Sequence, residues 1–547
     1  MLVSDIVEYG ARKHPDRIAL RFEDETVSYG ELRDRSRRLA NALLDVAAPG
    51  DRVAILSTNC TEYFDCYYGV PMAGMALTIL NYRLHAEQIV ALVEHSGATV
   101  LVVEKEFAEL VDGIRDRIPD VRTVVVIGGS GAATSWDSFV GGASAELPSV
   151  LPTADDIAWM VYTSGTTGMP KGVMLSHRNL VSGITSSALQ WALPEGTVFL
   201  FCFPLCHVGG YVTLLNHLMG STVGILRAYD NATFLRLVEE WKVTQTGLAP
   251  TMINFLLQDP ALDDHDLGTL EAIGYGSSAI PAPVLREGLE RLGCDFYQGM
   301  GMTELAGNVL HFDQEAHRRA ANGETGLLAA AGKPMRLANI RVVDDELADV
   351  PVGQIGEMIV RCDQVMAGYW RDPEATAAAF TDGWFHTGDL VRQDDEGFVY
   401  IVDRKKDLII SGGENVASLT VEQALYRHPG VAEAAAIGVK DDTWGEIVCA
   451  VVVLRDGATA TAEDIVATCR EQLGGFQVPR RVEFVETLPK NVTGKILKRD
   501  LRDRFSPAPP DRPQPLRLTP PPPHVATCGD QSGPRVPPSL TRTTEQP

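Results

Sequence analysis

Positive charge is what this chain is short of. Against 72 Asp and Glu it carries 48 Lys and Arg, a formal net charge of -24. An acidic surface repels nucleic acid and anionic membrane, so neither is expected as a partner. It also repels phosphorylated small molecules, so any site for one must be built from local cations. Paired cysteines are missing too. The nine Cys are scattered without a CxxC, and Cys202, Cys206 and His207 lack haem-attachment spacing. Reduced, mostly buried thiols suit a cytoplasmic location, which is the one expected. No basic start followed by an apolar run opens the chain, so no signal peptide is expected. No apolar stretch approaches the roughly 20 residues of a membrane helix, and no transmembrane segment is expected.

What is present is globular: 547 residues, 45% hydrophobic and 22% charged, enough for more than one domain. Ser28 and Glu31 have capping-box spacing before a helix with Leu32, Leu39 and Leu43 on one side. Arg52 to Leu56 reads as a strand, Tyr63 to Ala73 as a helix, Ala76 to Leu80 as a strand, and Ala86 to Ser96 as a helix. Strands at Thr99 to Val103 and Thr123 to Ile127 continue the alternation. Alternating strands and helices argue for an α/β fold with mainly parallel sheets. Gly128 to Val150, rich in Gly, Ala and Ser, reads as a loop.

The chain is organised around Thr163-Ser164-Gly165-Thr166-Thr167-Gly168-Met169-Pro170-Lys171-Gly172. It follows the apolar run Ile157 to Val161, a buried strand. Glycines leave backbone N–H groups free to approach an anion, hydroxyls add donors, and Lys171 adds a mobile positive charge. That composition makes a phosphate cradle. It is not a Walker A loop, because Lys171 is followed by Gly172 rather than Ser or Thr.

This stretch resembles the phosphate-binding signature of the adenylate-forming superfamily: acyl-CoA synthetases, peptide-synthetase adenylation domains and firefly luciferase. The resemblance runs from about Asp5 to about Arg504 and recurs at further motifs. Asn81-Tyr82-Arg83-Leu84 resembles the family's Asn-x-Arg-Leu turn. Pro204-Leu205-Cys206-His207 resembles its Pro-Leu-x-His, which implies that His207 gates the route between carboxylate and thiol. Ile273 to Pro281 is similar to the adenine-lining turn, implying contacts from Gly276, Ser277 and Ser278. Tyr297-Gln298-Gly299-Met300-Gly301-Met302-Thr303-Glu304 resembles Gly-Tyr-Gly-x-Thr-Glu, with Met300 in place of the usual Tyr. The resemblance implies Mg²⁺ on Glu304, phosphate on Thr303, and adenine against Gln298, Gly299 and Met300. A thioether can still lie on an aromatic face. Gly301 stands where short-chain acetate enzymes place a Trp that plugs the acyl pocket. A Gly there implies an open tunnel and a longer or aromatic acid.

Thr387-Gly388-Asp389 resembles the ribose-binding motif, with Asp389 accepting from both hydroxyls and Arg404 reaching the same sugar. Lys406 matches the family's hinge. Gly412 and Gly413 match the loop that reaches the pantetheine tunnel, and Trp444 is a candidate wall for that arm. Ala417 and Ser418 depart from the aromatic and Pro that often precede the next helix. Lys495, in Pro489-Lys490-Asn491-Val492-Thr493-Gly494-Lys495, matches the catalytic Lys.

The resemblance implies an adenylation domain over 1–403, a hinge at 404–406 and a small mobile α+β domain over 407–505. Residues 506–547, with Pro520 to Pro523, read as a disordered Pro-rich tail. The implied activity is an acyl-CoA ligase using ATP, Mg²⁺ and coenzyme A on a medium- or long-chain fatty acid. The alternatives are an aryl-acid CoA ligase of the coumarate or benzoate type, or transfer to a carrier protein. The partners are small molecules, with a homodimer left open.

Overall fold

Apolar runs such as Val53 to Leu56 and Val100 to Val103 are wholly buried, as strands covered on both faces must be. They lie in one of four sheets of a computed structural model, which describes residues 1–129, 134–163, 170–191, 193–276, 279–441, 443–490 and 496–506. Met1–Phe505 forms one compact unit. From residue 507 on, the expectation for the tail lies outside the described residues.

In the eight-stranded sheet, Ile157–Thr163, Ala76–Ile79, Arg52–Leu56, Val100–Glu104, Thr123–Ile127 and Thr134–Ser135 run parallel in that order. Lys171–Ser176 and then Gly368–Tyr369 extend it antiparallel beyond Ile157–Thr163. In the nine-stranded sheet, Asp295–Met302, Ala272–Gly276, Gln245–Gly247, Val198–Phe201, Thr222–Ile225 and Ile18–Phe22 are parallel. Antiparallel strands close both of its ends. The fold is therefore α/β with mainly parallel large sheets, as the alternation predicts.

Two smaller sheets follow. An antiparallel one holds Asn339–Val343, Ile355–Arg361, Trp384–Gln393, Phe380–Thr381 and Val399–Arg404. The other, Ile409–Ser411, Glu414–Val416, Val431–Asp441, Gly445–Leu454 and Arg481–Phe484, has its own apolar cores and makes the small C-terminal domain.

Local expectations hold where chemistry is local. Ser28 Oγ accepts from the Glu31 N–H at 3.2 Å, Glu31 Oε2 accepts from the Ser28 N–H at 2.8 Å, and the helix Tyr29–Leu44 starts there. The loop expected over 128–150 is a correction. Thr134–Ser135 is a strand, Ser135 Oγ caps the helix Trp136–Gly141, and Trp136 is buried. Arg38 then donates to Ala143 O at 2.6 Å and Asn41 to Ser144 O at 2.8 Å. A cap, one large ring and donors from the helix Tyr29–Leu44 outweigh a Gly-rich composition. Among the described residues every Cys is unpaired and all but Cys362 are buried. No helix among them is long and apolar enough to cross a membrane.

Candidate active site

A β-hairpin brackets the Gly- and hydroxyl-rich stretch. Thr163 ends one strand, Lys171 begins the next, and the two face each other across the pair. Ser164, Gly165, Thr166, Thr167 and Gly168 lie outside the described residues, as do Ser277, Ser278 and Lys495.

Lys171 sits over an aromatic ring. Its Nζ lies 4.4 Å from the centroid of Tyr369, within reach of cation–π attraction. The Tyr369 hydroxyl donates to Glu304 Oε1 at 3.2 Å. Burial, and then the nearby Glu304 carboxylate, raise the pKa of this phenol, so it stays a donor. Backbone bonds hold the segment in place: Met366 N–H to Glu304 O at 2.8 Å, Ala367 N–H to Met174 O at 2.9 Å, and Trp370 N–H to Gly172 O at 2.7 Å. Tyr369 carried no signal in the sequence reading, because its partners come from two distant motifs.

Thr303 and Glu304 occupy the turn Thr303–Leu305 that ends Asp295–Met302. Ala306 takes a left-handed φ of 47° and its N–H donates to Thr303 O at 3.0 Å, which reverses the chain into Gly307–Phe312. Among the described residues no group of three or more His, Cys, Asp or Glu could hold a metal ion. Glu304 offers one carboxylate. That donor set fits Mg²⁺ bound through one protein carboxylate and substrate phosphates, not a cage made by protein alone.

Gly276 and Gly299 are partners in adjacent parallel strands, and a Cβ on Gly276 would come 2.9 Å from Gly299 O. A Cβ on Gly299 would run into the Asn308 amide. Gln298 is buried, and Met300 packs partly buried against the main core. The missing side chains let the two strands and the Asn308 amide pack this closely. Gly301 also has a packing reason to be glycine. A Cβ there would land on the Gly307 carbonyl and crowd the Asn308 backbone. This glycine admits a neighbouring strand and is itself exposed.

His207 follows a loop tied down by residues the sequence reading passed over. Asn59 accepts the Leu205 N–H at 2.7 Å and donates to Phe203 O at 2.9 Å, while Tyr67 OH donates to Leu205 O at 2.5 Å. Desolvation first, and then the Arg83 charge, pull His207 down to about 4. The imidazole is therefore neutral near pH 7. Two motifs distant in sequence, at Asn81 to Leu84 and Pro204 to His207, are thus neighbours.

Asp389 is buried and pairs with Arg404, Oδ1 to Nε at 2.8 Å, the two lying opposite each other on paired strands. Arg404 also donates to Thr387 O at 3.2 Å. Burial foremost lowers the pKa of Lys406, with Arg404 and Arg502 nearby adding repulsion. Beyond it, Gly412 and Gly413, at φ 62° and 85°, turn the hairpin of Ile409–Ser411 with Glu414–Val416. Gly412 N–H donates to Trp444 O at 2.8 Å, and a Cβ on Gly412 would sit 2.6 Å from the Trp444 ring. Trp444 is 41% exposed, so Gly412, Gly413 and Trp444 form one accessible patch.

Residues 7–370 match the model of the AMP-binding enzyme family, and residues 420–495 that of the AMP-binding enzyme C-terminal domain. The chain is similar to the fatty acid–[acyl-carrier-protein] ligase ScoC of Streptomyces coeruleorubidus, with 35% identity over 503 residues, 91% of this chain and 95% of ScoC. It is similar to a feruloyl-CoA synthase of an Amycolatopsis species, with 38% identity over 502 residues, 90% of this chain and 97% of that enzyme. Among solved structures, ATP-bound MatB of Rhodopseudomonas palustris aligns with a TM-score of 0.82 at 30% identity, over 92% of this chain and 99% of MatB.

Proposed function

The chain belongs to the AMP-binding enzyme family and is an acid–thiol ligase of the AMP-forming type, and from that premise we propose that it joins a medium- or long-chain fatty acid to coenzyme A. The observation that carries the reaction is the set Lys171, Tyr369 and Glu304, a phosphate-seeking cation and a carboxylate joined by one ring. The fatty acid is supported by the name of ScoC. The name of the feruloyl-CoA synthase supports a second reading, an aryl acid on the same machinery, and ScoC's name supports a carrier-protein acceptor. Gly301 does not choose between the two acids.

A carboxylate resists attack because it is anionic and would have to expel oxide. In the first step the substrate carboxylate attacks the α-phosphorus of ATP, releasing pyrophosphate and leaving acyl-AMP. In the second, the thiol sulfur attacks the acyl carbon and AMP departs. The protein's part is positioning and charge stabilisation. Lys171, with the cradle N–H groups, binds the phosphates, and Thr303 adds a hydroxyl. Mg²⁺ would be held by Glu304 and would neutralise phosphate charge. Gly276, Gln298, Gly299 and Met300 receive the adenine, and Asp389 takes the ribose hydroxyls with Arg404 beside it. Lys495 binds where carboxylate and α-phosphate meet. The 407–505 domain then turns about Lys406, taking Lys495 away and bringing Gly412, Gly413 and Trp444 to the coenzyme A arm, while neutral His207 guards the thiol's route.

The test is AMP release with Mg·ATP and CoA across acids from acetate to palmitate, plus benzoate and coumarate. Lys495→Ala serves as the internal control. A maximum among medium or long alkyl acids is expected, with the variant losing pyrophosphate release but still making thioester from supplied acyl-AMP. A maximum at aryl acids overturns the substrate, and equal loss of both half-reactions overturns the role of Lys495.

A further inference from the structure

Tyr369 belongs to none of the motifs nominated from sequence, yet it touches the two that matter most for ATP. Its ring is the seat of Lys171 Nζ at 4.4 Å. Its hydroxyl donates to Glu304 Oε1 at 3.2 Å. The backbone that carries the ring is held from both directions in the chain. Gly368–Tyr369 is a strand paired with Val173 and Met174, and the Tyr369 N–H donates to Thr376 Oγ1 at 2.9 Å. Thr376 in turn closes against Gly368, where a Cβ would come 2.8 Å from its methyl. The side chain therefore starts from a fixed backbone and lies between a cation on one strand and a carboxylate on a turn.

We infer that Tyr369 is a positioning residue for adenylation: its hydroxyl holds Glu304 Oε1, leaving Oε2 for the metal, while its ring holds the Lys171 ammonium at the phosphates. This rests on the reading of Glu304 and Lys171 given above. The two halves of the role are separable. The hydroxyl acts on the carboxylate and so on the metal, and the ring acts on the cation and so on the nucleotide even without metal. A phenol locked to one oxygen of a carboxylate removes a rotational choice that the metal would otherwise have to make.

The experiment uses the full chain without acid substrate, so that no turnover occurs. ATP binding is measured by calorimetry in EDTA and again across a MgCl₂ titration, for wild type, Tyr369→Phe and Tyr369→Leu. The expected result is that Tyr369→Phe binds metal-free ATP as wild type does. Its half-point in Mg²⁺ rises by about tenfold, the worth of one hydrogen bond to a charged group. Tyr369→Leu also weakens metal-free ATP, because the Lys171 seat is gone. The Phe variant keeps the ring and its packing, so it isolates the hydroxyl. An unchanged Mg²⁺ half-point in Tyr369→Phe overturns the proposal, as does an equal loss with and without metal, which a merely structural role would give. Wild-type ATP binding that ignores Mg²⁺ overturns the reading of Glu304, and the proposal with it.

Discussion

Gly301 shows how one residue can carry two meanings. By resemblance, its missing side chain opens a tunnel. In the structure the strand Asp295–Met302 shifts register between Met300 and Gly301, and the Gly307 carbonyl occupies the place of the Cβ. Any side chain must push two backbones apart, which typically costs roughly 1–3 kcal/mol. Gly301→Ala is therefore expected to lower the urea midpoint of unfolding and to depress turnover of every acid by a similar factor. A variant of normal stability that only shortens the accepted acid would favour the tunnel reading.

Among the elements, the strand Val399–Arg404 and the helix Ser418–Leu425 meet on either side of residues 405–417. Ala417, at the head of that helix, has no capping side chain. Buried Asp403 does the capping instead: it accepts from the Ser418 N–H, and from Ser418 Oγ at 2.9 Å. Lys498 donates to Ser418 Oγ at 2.7 Å and pairs with Glu422 at 2.8 Å. The Ser that looks out of place in the sequence is thus the donor that a Pro could not be. Asp403→Asn is expected to loosen this contact and raise the rate of tryptic cleavage at Lys405 and Lys406 several-fold, with Ser418→Ala intermediate. Unchanged cleavage would show that the contact does not hold the small domain. The same pair marks what could be read beforehand. The capping box at Ser28, the apolar strands and the ordered motifs were legible because each is a pattern within a few residues. Tyr369, Asn59, Tyr67 and Asp403 were not, because their partners are brought to them by sheet order and by the return of the chain after Arg404.

Across the whole molecule, buried imidazoles tie the layers together. His177 Nδ1 accepts from the Val3 N–H at 3.0 Å. His217 lies between Tyr68 OH at 2.8 Å and Ala19 O at 3.1 Å. His311 Nδ1 accepts from Trp191 Nε1 at 3.3 Å, and His317 bonds Tyr275 OH at 2.8 Å. All four are buried, and desolvation is the main cause that lowers each to about 4 from 6.5. Between those values the unfolded chain binds protons that the folded one refuses. The stability these groups lend is full above about pH 6.5 and is lost as pH falls through 4, each by at most about 1.4 kcal/mol per pH unit. The net charge of -24 acts the other way, since acid relieves self-repulsion. In 0.5 M salt, where that repulsion is screened, the urea midpoint is expected to change little from pH 7.5 to about pH 6.5 and then to fall towards pH 5, and His217→Gln is expected to flatten that fall. A midpoint that holds or rises on acidification would mean that these imidazoles accept protons in place, and that burial does not set their charge.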